Sequence, residues 1–294
     1  MAETRFRYAA YADEAGDTLD AQIAALHRNG ISRLEVRSIG GRNFAAYTAG
    51  ETRELRDRLD AEGICVETIG SPFGKIGIFD DFEPHFDNFR RMLDNAHILG
   101  AGYIRLFSFF MPAEKSGQVP QEERFLEYEP EVLRRLNCFL DASRGSGIVL
   151  CHENEKDIYG DIAIRCVRLH KALPELRAVF DPANFIQTGQ DTLEAWKLLS
   201  PYVEYMHIKD ARPDGKVVPA GSGIGNLPVL LGSFRGSLLT LEPHLAVFST
   251  LSTLEKDGGT HSVDGACYAT RDEAFDAAAN AMKKLACACQ NANQ

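Results

Sequence analysis

Four segments of this sequence end on residues that bind hard or borderline cations: Glu153 in IVLCHENE, Asp181 in AVFDPANF, His207 in EYMHIKD and Glu242 in LTLEPH. Each follows a short apolar run of strand composition. Three carboxylates and an imidazole converging on one point would bind a divalent ion. The oxygen-rich set suits Mn²⁺, Mg²⁺ or Co²⁺ better than a thiolate-loving zinc site, although Zn²⁺ would also bind. Four protein ligands would leave octahedral positions open for two substrate oxygens. Each residue also has a structural reading. A carboxylate at a strand end commonly caps the next helix, as Asp181 before Pro182 would, and a lone histidine is commonly just hydrogen-bonded. Four ligand-type residues on four successive strand ends make the rarer coincidence, so the set is read as one candidate metal site.

Such side chains meet only if their strands are neighbours. Strand-like runs occupy 6–11, 33–39, 65–70, 103–109, 148–153, 177–181, 203–208 and 237–242, each with the length and composition of a β-strand. Helical spacing fills the stretches between them. Leu19, Ile23 and Leu26 share a face in 18–29, stopped by Asn29-Gly30, and Leu55 and Leu59 do so in 51–62 before Gly63. Similar patterns cover 86–99, 130–144, 161–172, 191–199 and 271–288, while 227–232 has room only for a short helical turn. The strands recur about every 33 residues, the length of a βα unit, and parallel strands need such crossovers. Eight units predict a single (β/α)8 TIM barrel, an α/β fold, over 1–294 rather than an open doubly wound sheet. Long loops at about 110–128 and 244–270 follow the fourth and eighth strands, at the end where barrels build their sites. They are candidates for lids or subunit contacts.

Composition bounds the function. With 45% hydrophobic and 25% charged residues, the chain of 294 can bury a large core and is not disordered. A net charge of −10 argues against coating nucleic acid or anionic lipid. The start MAETRFRYAA lacks the apolar core of a secretory signal, and no window reaches the roughly 18 apolar residues of a membrane span. Seven scattered cysteines without a CxxC pair indicate neither a disulfide framework nor a zinc knuckle. The expectation is a cytoplasmic protein.

The phrases HENEK at 152–156, FDPANF at 180–185, MHIKDA at 206–211, VPAG at 218–221 and LEPHL at 241–245, with LEVR at 34–37, resemble the sugar phosphate isomerase/epimerase superfamily of xylose isomerase-like TIM barrels. The resemblance runs over nearly the whole chain. It implies one Mn²⁺-type ion held by Glu153, Asp181, His207 and Glu242. It further implies that Glu153 and Glu242 are the acid/base pair of a ketose epimerase-like reaction. A proton beside a carbonyl is too weakly acidic for an unaided carboxylate at neutral pH. A metal chelating the carbonyl and a neighbouring hydroxyl stabilises the enediolate, and a carboxylate on each face removes or returns the proton. Two departures stand out: the ketose 3-epimerases carry a His where this chain has Asn184, and an Arg where it has Pro213. Both put a free-ketohexose epimerase in doubt and leave the enolate-type chemistry intact.

Further candidates follow from position. Lys209, two residues past His207, would polarise a substrate oxygen or else pair with Asp210 in solvent. Lys75, in GSPFGKIG, would meet a hydroxyl or phosphate, or be a solvated loop lysine. Glu35 and Arg37 alternate on strand 2, so they share a face: a barrel-core pair or a substrate contact. Asn184 stands at the substrate-touching position, and one of Glu155, Lys156 and Tyr159 would contact substrate from the loop after Glu153. His244 lies just beyond Glu242, and His152 reads as structural. Phe107, Phe109 and Phe110 divide between packing and an apolar wall for a sugar ring. The strings GSGIG at 221–225 and SIGG at 38–41 read as a loop and a turn, although backbone N–H groups of the former would suit a phosphate.

The leading function is therefore a metal-dependent isomerase or epimerase of a sugar, sugar phosphate or cyclitol. If the enolate instead expels a β-substituent, the same site is a lyase, an inosose dehydratase or a 3-keto-glycoside eliminator. An apurinic-site endonuclease would need more His ligands and a basic face than eight His and net charge −10 supply. A non-catalytic sugar-binding barrel is disfavoured by the complete ligand set. The expected partner is a small carbohydrate, with no nucleic acid and no membrane. Apolar residues in 244–254 would support a homo-oligomer contact or cover the barrel mouth.

Overall fold

The computed structural model describes residues 5–112, 121–249, 251, 263 and 267–291. Eight parallel strands close into a ring: β1 (Arg7–Ala10), β2 (Arg33–Val36), β3 (Cys65–Ile69), β4 (Tyr103–Leu106), β5 (Val149–Glu153), β6 (Arg177–Phe180), β7 (Val203–Ile208) and β8 (Leu238–Leu241). β8 pairs back onto β1, with Leu241 opposite Ala10. Among the described residues the α-helices are α1 (Leu19–Arg28), α2 (Ala49–Ala61), α3 (Glu83–Leu99), α4 (Gln121–Ser143), α5 (Ala163–Ala172), α6 (Pro182–Gln187), α7 (Thr192–Leu199), α8 (Leu227–Ser233) and α9 (Arg271–Asn291). This is the predicted (β/α)8 barrel.

Local chemistry sets the element ends. The Thr18 hydroxyl accepts from Ala21 N–H to start α1, and Thr48 and Glu51 form a reciprocal capping box on α2. Outside the ring, a phenylalanine cluster joins α3, α4 and the loops between: Phe89 and Phe139 have ring centroids 4.5 Å apart, with Phe73 and Phe82 edge-on to their neighbours. Every strand lies within a few residues of its predicted run. The long run 103–109 is strand only to Leu106, because Phe109 turns with φ 66°.

Two features differ from the sequence reading. The loop predicted over 110–128 is shorter, because α4 starts at Gln121 and carries Pro130 inside it; residues 113–120 lie outside those described. The sequence pattern predicts this helix from 130, but the apolar positions Phe125 and Tyr128 hold the turns before Pro130 against the barrel. Helix α6 and two short hairpins are additions. One hairpin pairs Ser38–Ile39 with Arg42–Asn43 across Gly40 and Gly41, both at positive φ, so SIGG is a turn. Of the 244–270 loop, Phe248, Leu251 and Val263 form a small buried cluster, and most of the remainder lies outside the described residues.

Strand alternation decides what the barrel holds. Side chains two apart on a strand point the same way, and the inward series run Cys151–Glu153, Val179–Asp181, Tyr205–His207–Lys209, Leu238–Thr240–Glu242, Tyr103–Arg105 and Glu35–Arg37. Ala9, Cys151, Val179, Tyr205 and Leu238 make an apolar plug low in the barrel. Above it every series turns polar at the strand ends. That is the face at which barrels of this kind do chemistry.

Candidate metal centre

One ligand atom from each of Glu153, Asp181, His207 and Glu242 lies within 4.8 Å of all the others, and all four residues are buried. His207 Nδ1 stands 3.0 Å from Glu153 Oε1, 3.3 Å from Glu242 Oε2 and 3.9 Å from Asp181 Oδ2. The register explains the convergence. Thr240 pairs with His207 and Phe180 with Met206, which puts Asp181 level with His207 and Glu242 one step higher. Asp181 is also the N-cap of α6, its Oδ1 accepting from Asn184 N–H at 3.0 Å. Its structural and ligand readings thus use different oxygens.

The donor set fits a divalent cation. Asp181 Oδ2 and Glu153 Oε2 are buried and accept no hydrogen bond, a costly state for carboxylate oxygens unless a cation faces them. Two internal cations do stand nearby. Lys209 Nζ lies 2.8 Å from Asp181 Oδ2 and 3.0 Å from Glu242 Oε2, and Arg105 lies 3.0 Å from Glu153 Oε2. Burial would lower the Lys209 ammonium, but the charges of Asp181, Glu242 and Glu153 outweigh it and hold it well above the usual lysine range. Burial pushes the Asp181 carboxyl up to about 8, with Glu242 and Glu153 adding to the rise. Burial also works against a charged Glu242, yet the Lys209 charge and the contact with His207 keep it well below the carboxylate range. A pocket that concentrates this much negative charge draws a divalent cation for the same electrostatic reason.

The predicted substrate residues surround this centre. Arg37, Lys75, Glu155, Lys209 and His244 line one small cavity with Glu153, Glu242 and Arg105, about 10 Å³ in volume. Lys75 is paired with Glu155 at 3.1 Å and lies over the Phe107 ring at 4.4 Å. Burial works to raise the Glu155 carboxyl, but the charges of Lys75, Lys156 and Lys209 together lower it. Asn184 reaches the centre itself, its Nδ2 donating to Glu153 Oε1 at 3.2 Å and to Asn154 O at 2.9 Å. His244 takes φ 43°, donates its N–H to Glu14 Oε2 at 2.6 Å and stacks edge-on with Phe248. Burial, reinforced by the Lys209 charge, keeps its imidazole neutral.

Other readings resolve differently. Lys209 does not pair with Asp210 in solvent; both are buried. The Asp210 carboxylate accepts the N–H groups of Gly221, Gly223 and Gly225, so the anion in the GSGIG loop is the chain's own. Tyr159 points away, donating to Glu129. His152 bonds Ser108 Oγ at 2.9 Å, a structural role. Phe109 packs outward against Phe82, whereas Phe107 stays beside Arg105 and Lys75.

Three site residues escaped the sequence reading: Asp13, Glu14 and Arg105. Arg37 binds Asp13 through two bonds of 2.9 Å, Glu14 at 3.0 Å and Glu242 Oε1 at 3.3 Å. It thereby ties the loop after β1 to the Glu242 carboxylate. Arg105 instead ties the loop after β3 to Glu153, donating to Ser71 O at 3.3 Å and standing 3.0 Å from Glu153 Oε2. A charged residue inside the apolar run YIRLFSF was the available signal for Arg105, and Asp13 and Glu14 sit where a rim loop must begin. A larger groove of about 620 Å³, lined in part by Phe86, Arg90, His97 and Asp141, lies outside the barrel and gathers no comparable set.

Solved structures of the same architecture include L-ribulose 3-epimerase (TM-score 0.72, 12% identity, 98% of this chain and 96% of that one). The probable 3-DHS dehydratase AsbF of Bacillus anthracis superposes with TM-score 0.68 at 14% identity, over 95% of this chain and 98% of its own. A xylose isomerase-like TIM barrel protein from Mycobacterium smegmatis in complex with magnesium gives 0.65 at 15%, over 96% and 97%. At these identities the likeness is one of fold. No curated protein matches the chain. A family model described as the xylose isomerase-like TIM barrel matches residues 23–236, and the chain belongs to that family.

Proposed function

We propose that this protein is a divalent-metal-dependent enzyme that isomerises or epimerises a carbohydrate or cyclitol by moving a proton next to a carbonyl. The observation that carries the reading is the pair Glu153 and Glu242. They stand on β5 and just past β8, on either side of Asp181 and His207, with one oxygen of each close to His207 Nδ1. Glu153, Asp181, His207 and Glu242 would hold the ion, with Mn²⁺ preferred for an oxygen-rich set and Mg²⁺, Co²⁺ or Zn²⁺ as alternatives. When bound, the ion supplies Lewis-acid stabilisation of charge on the substrate's carbonyl oxygen.

The chain's residues supply the proton handling. One of the two glutamates, ionised, takes the proton from carbon, and the other, entering the step protonated, gives its own proton to the opposite face, which is how a carboxylate pair inverts or relocates a C–H bond. Arg105 and Arg37 orient Glu153 and Glu242 respectively, each through a buried ion pair. The Lys75–Glu155 pair, Asn184 and His244 offer donors and acceptors to hydroxyls at the mouth. The cavity is about 10 Å³, room for roughly one water, so these side chains must shift to admit a sugar.

A second reading, elimination, is favoured by one feature. Lys209 is a buried ammonium between Asp181 and Glu242, placed to give a proton to a leaving oxygen once the carbanion forms. The names of the similar structures, an epimerase and a dehydratase, accord with both readings. The test is metal analysis of wild type and Glu242→Gln, with solvent deuterium exchange on ketoses, inososes and 3-keto-glycosides. One ion per chain, with deuterium entering carbon only in the wild type, supports proton transfer. The product then separates the readings: unchanged mass for isomerisation, loss of water for dehydration, a split molecule for glycoside elimination. Failure to bind an ion after Mn²⁺ reconstitution removes the proposal.

A further inference from the structure

We propose that Glu35 is a positioning residue for the metal centre: by accepting the Nε2–H of His207, it fixes the imidazole tautomer that turns the Nδ1 lone pair toward the ion. The inference rests on the metal reading above and concerns a residue outside the four candidate ligands.

Glu35 lies on β2 inside the barrel, its side chain fully shielded from solvent. Barrel interiors are ordinarily filled by apolar side chains, and a buried carboxylate costs several kcal/mol unless it is paired and hydrogen-bonded. Its surroundings are specific. Oε1 accepts the hydroxyls of Tyr11 at 2.6 Å and Tyr205 at 3.1 Å, and the same oxygen lies 3.4 Å from His207 Nε2. Burial keeps both phenols protonated, so they act as donors. The rings of Tyr11 and Tyr205 also stand edge-on to the His207 imidazole, at 5.4 and 5.6 Å, and limit how it can turn.

Two atoms in this group lack a hydrogen bond, and they belong to facing residues: His207 Nε2 and Glu35 Oε2. A small rotation of the ring or carboxylate joins the pair. The opposite nitrogen, Nδ1, faces Glu153, Glu242 and Asp181. A neutral imidazole has one N–H and one lone pair. A proton on Nδ1 would present an N–H where an ion needs a lone pair; a proton on Nε2 is matched by Glu35 and by no other acceptor contact of that nitrogen among the described residues. A carboxylate behind a metal-binding histidine is a general device for orienting it and raising its basicity. Here the carboxylate comes from β2, across the ring from β7, and the two tyrosines hold it.

The test compares Mn²⁺ affinity, by counting free Mn²⁺ with electron paramagnetic resonance, for wild type, Glu35→Gln and Glu35→Leu. The amide oxygen of Gln still accepts the N–H, whereas Leu does not. Affinity should fall about 10–100-fold in Glu35→Leu, with Glu35→Gln in between. In the Co²⁺-loaded proteins, the exchangeable His207 N–H resonance should be sharp in the wild type, displaced in Glu35→Gln and lost to solvent exchange in Glu35→Leu. A purely structural glutamate would leave that resonance unmoved. If Glu35→Leu does not fold, Glu35→Gln decides by resonance and affinity together. Wild-type affinity and an unshifted resonance in the variants overturn the assignment of Glu35 alone; a wild type that binds no Mn²⁺ overturns the metal reading and this one with it.

Discussion

Replacing Asp210 by asparagine tests how the end of β7 is held. The change keeps the shape of the side chain and removes its charge. In the wild type the carboxylate accepts four backbone N–H groups: Oδ2 takes Gly221 at 2.8 Å and Gly223 at 3.0 Å, and Oδ1 takes Gly225 and Ala211, each at 2.9 Å. An amide oxygen serves one of these pairs, and the amide NH₂ then confronts two N–H donors. Hydrogen bonds to a charged group contribute about 1.5–3 kcal/mol each, so losing two costs about 3–6 kcal/mol before relaxation. Gly221 is exposed and Gly223 half-buried, so water replaces part of the loss and about 2–4 kcal/mol is expected. The loop cannot simply close up, since a Cβ on Gly223 would already meet Ala211 O at 2.3 Å. Urea unfolding followed by the fluorescence of Trp196, the single tryptophan, measures the difference. A change under about 0.5 kcal/mol, the scatter of surface substitutions, would refute the view that an internal anion organises the 221–225 loop.

Further outcomes follow from the same geometry. Arg37→Met strands the buried carboxylates of Asp13, Glu14 and Glu242 and should destabilise by about 3–5 kcal/mol in urea unfolding, as breaking buried pairs does. Lys209→Met should lower kcat by about 10²–10⁴-fold if the ammonium donates a proton during turnover; an unchanged kcat with raised KM would assign it to binding. Burial depresses His85 and His170 to about 4 in the folded protein, against about 6.5 when unfolded. The unfolded chain therefore takes up protons first. Stability present above pH 6.5 falls as the pH drops toward 4, by up to about 3 kcal/mol for His170 and less for half-buried His85. His170→Phe should flatten the fall of Tm between pH 6.5 and 4.5 relative to wild type; parallel curves would count against it.

The cluster of Glu153, Asp181, His207 and Glu242 was legible because two rules act together in a parallel barrel. Alternation fixes which side chains face inward, and the strand end fixes which of those reach the mouth. Glu153, Asp181, His207 and Glu242 satisfied both within short apolar runs, so they could be named without knowing how the strands stagger. Arg105 satisfied both as well. It was passed over because a lone arginine in YIRLFSF looks like the solvent face of an alternating strand until the neighbouring Glu153 is placed beside it. Asp13 and Glu14 are harder still: they follow β1 in a short helical turn, Ala12–Glu14, and nothing local distinguishes them from ordinary loop acids.

The harder cases share a cause. The environment of Lys209, Asp210 and Arg37 is made by partners 23 to 205 residues away or by a loop that folds back, and charge pairing across such distances leaves no periodic trace. Asp210 shows the point most directly. GSGIG reads as a plain loop whose backbone N–H groups would also suit a phosphate, and the outcome turns on whether an anion from elsewhere in the chain reaches it. Because Asp210 does reach it, the same Gly-rich backbone that elsewhere grips a ligand here fastens the rim beside Lys209. The centre's electrostatics therefore depend on a contact that is structural in kind and functional in consequence.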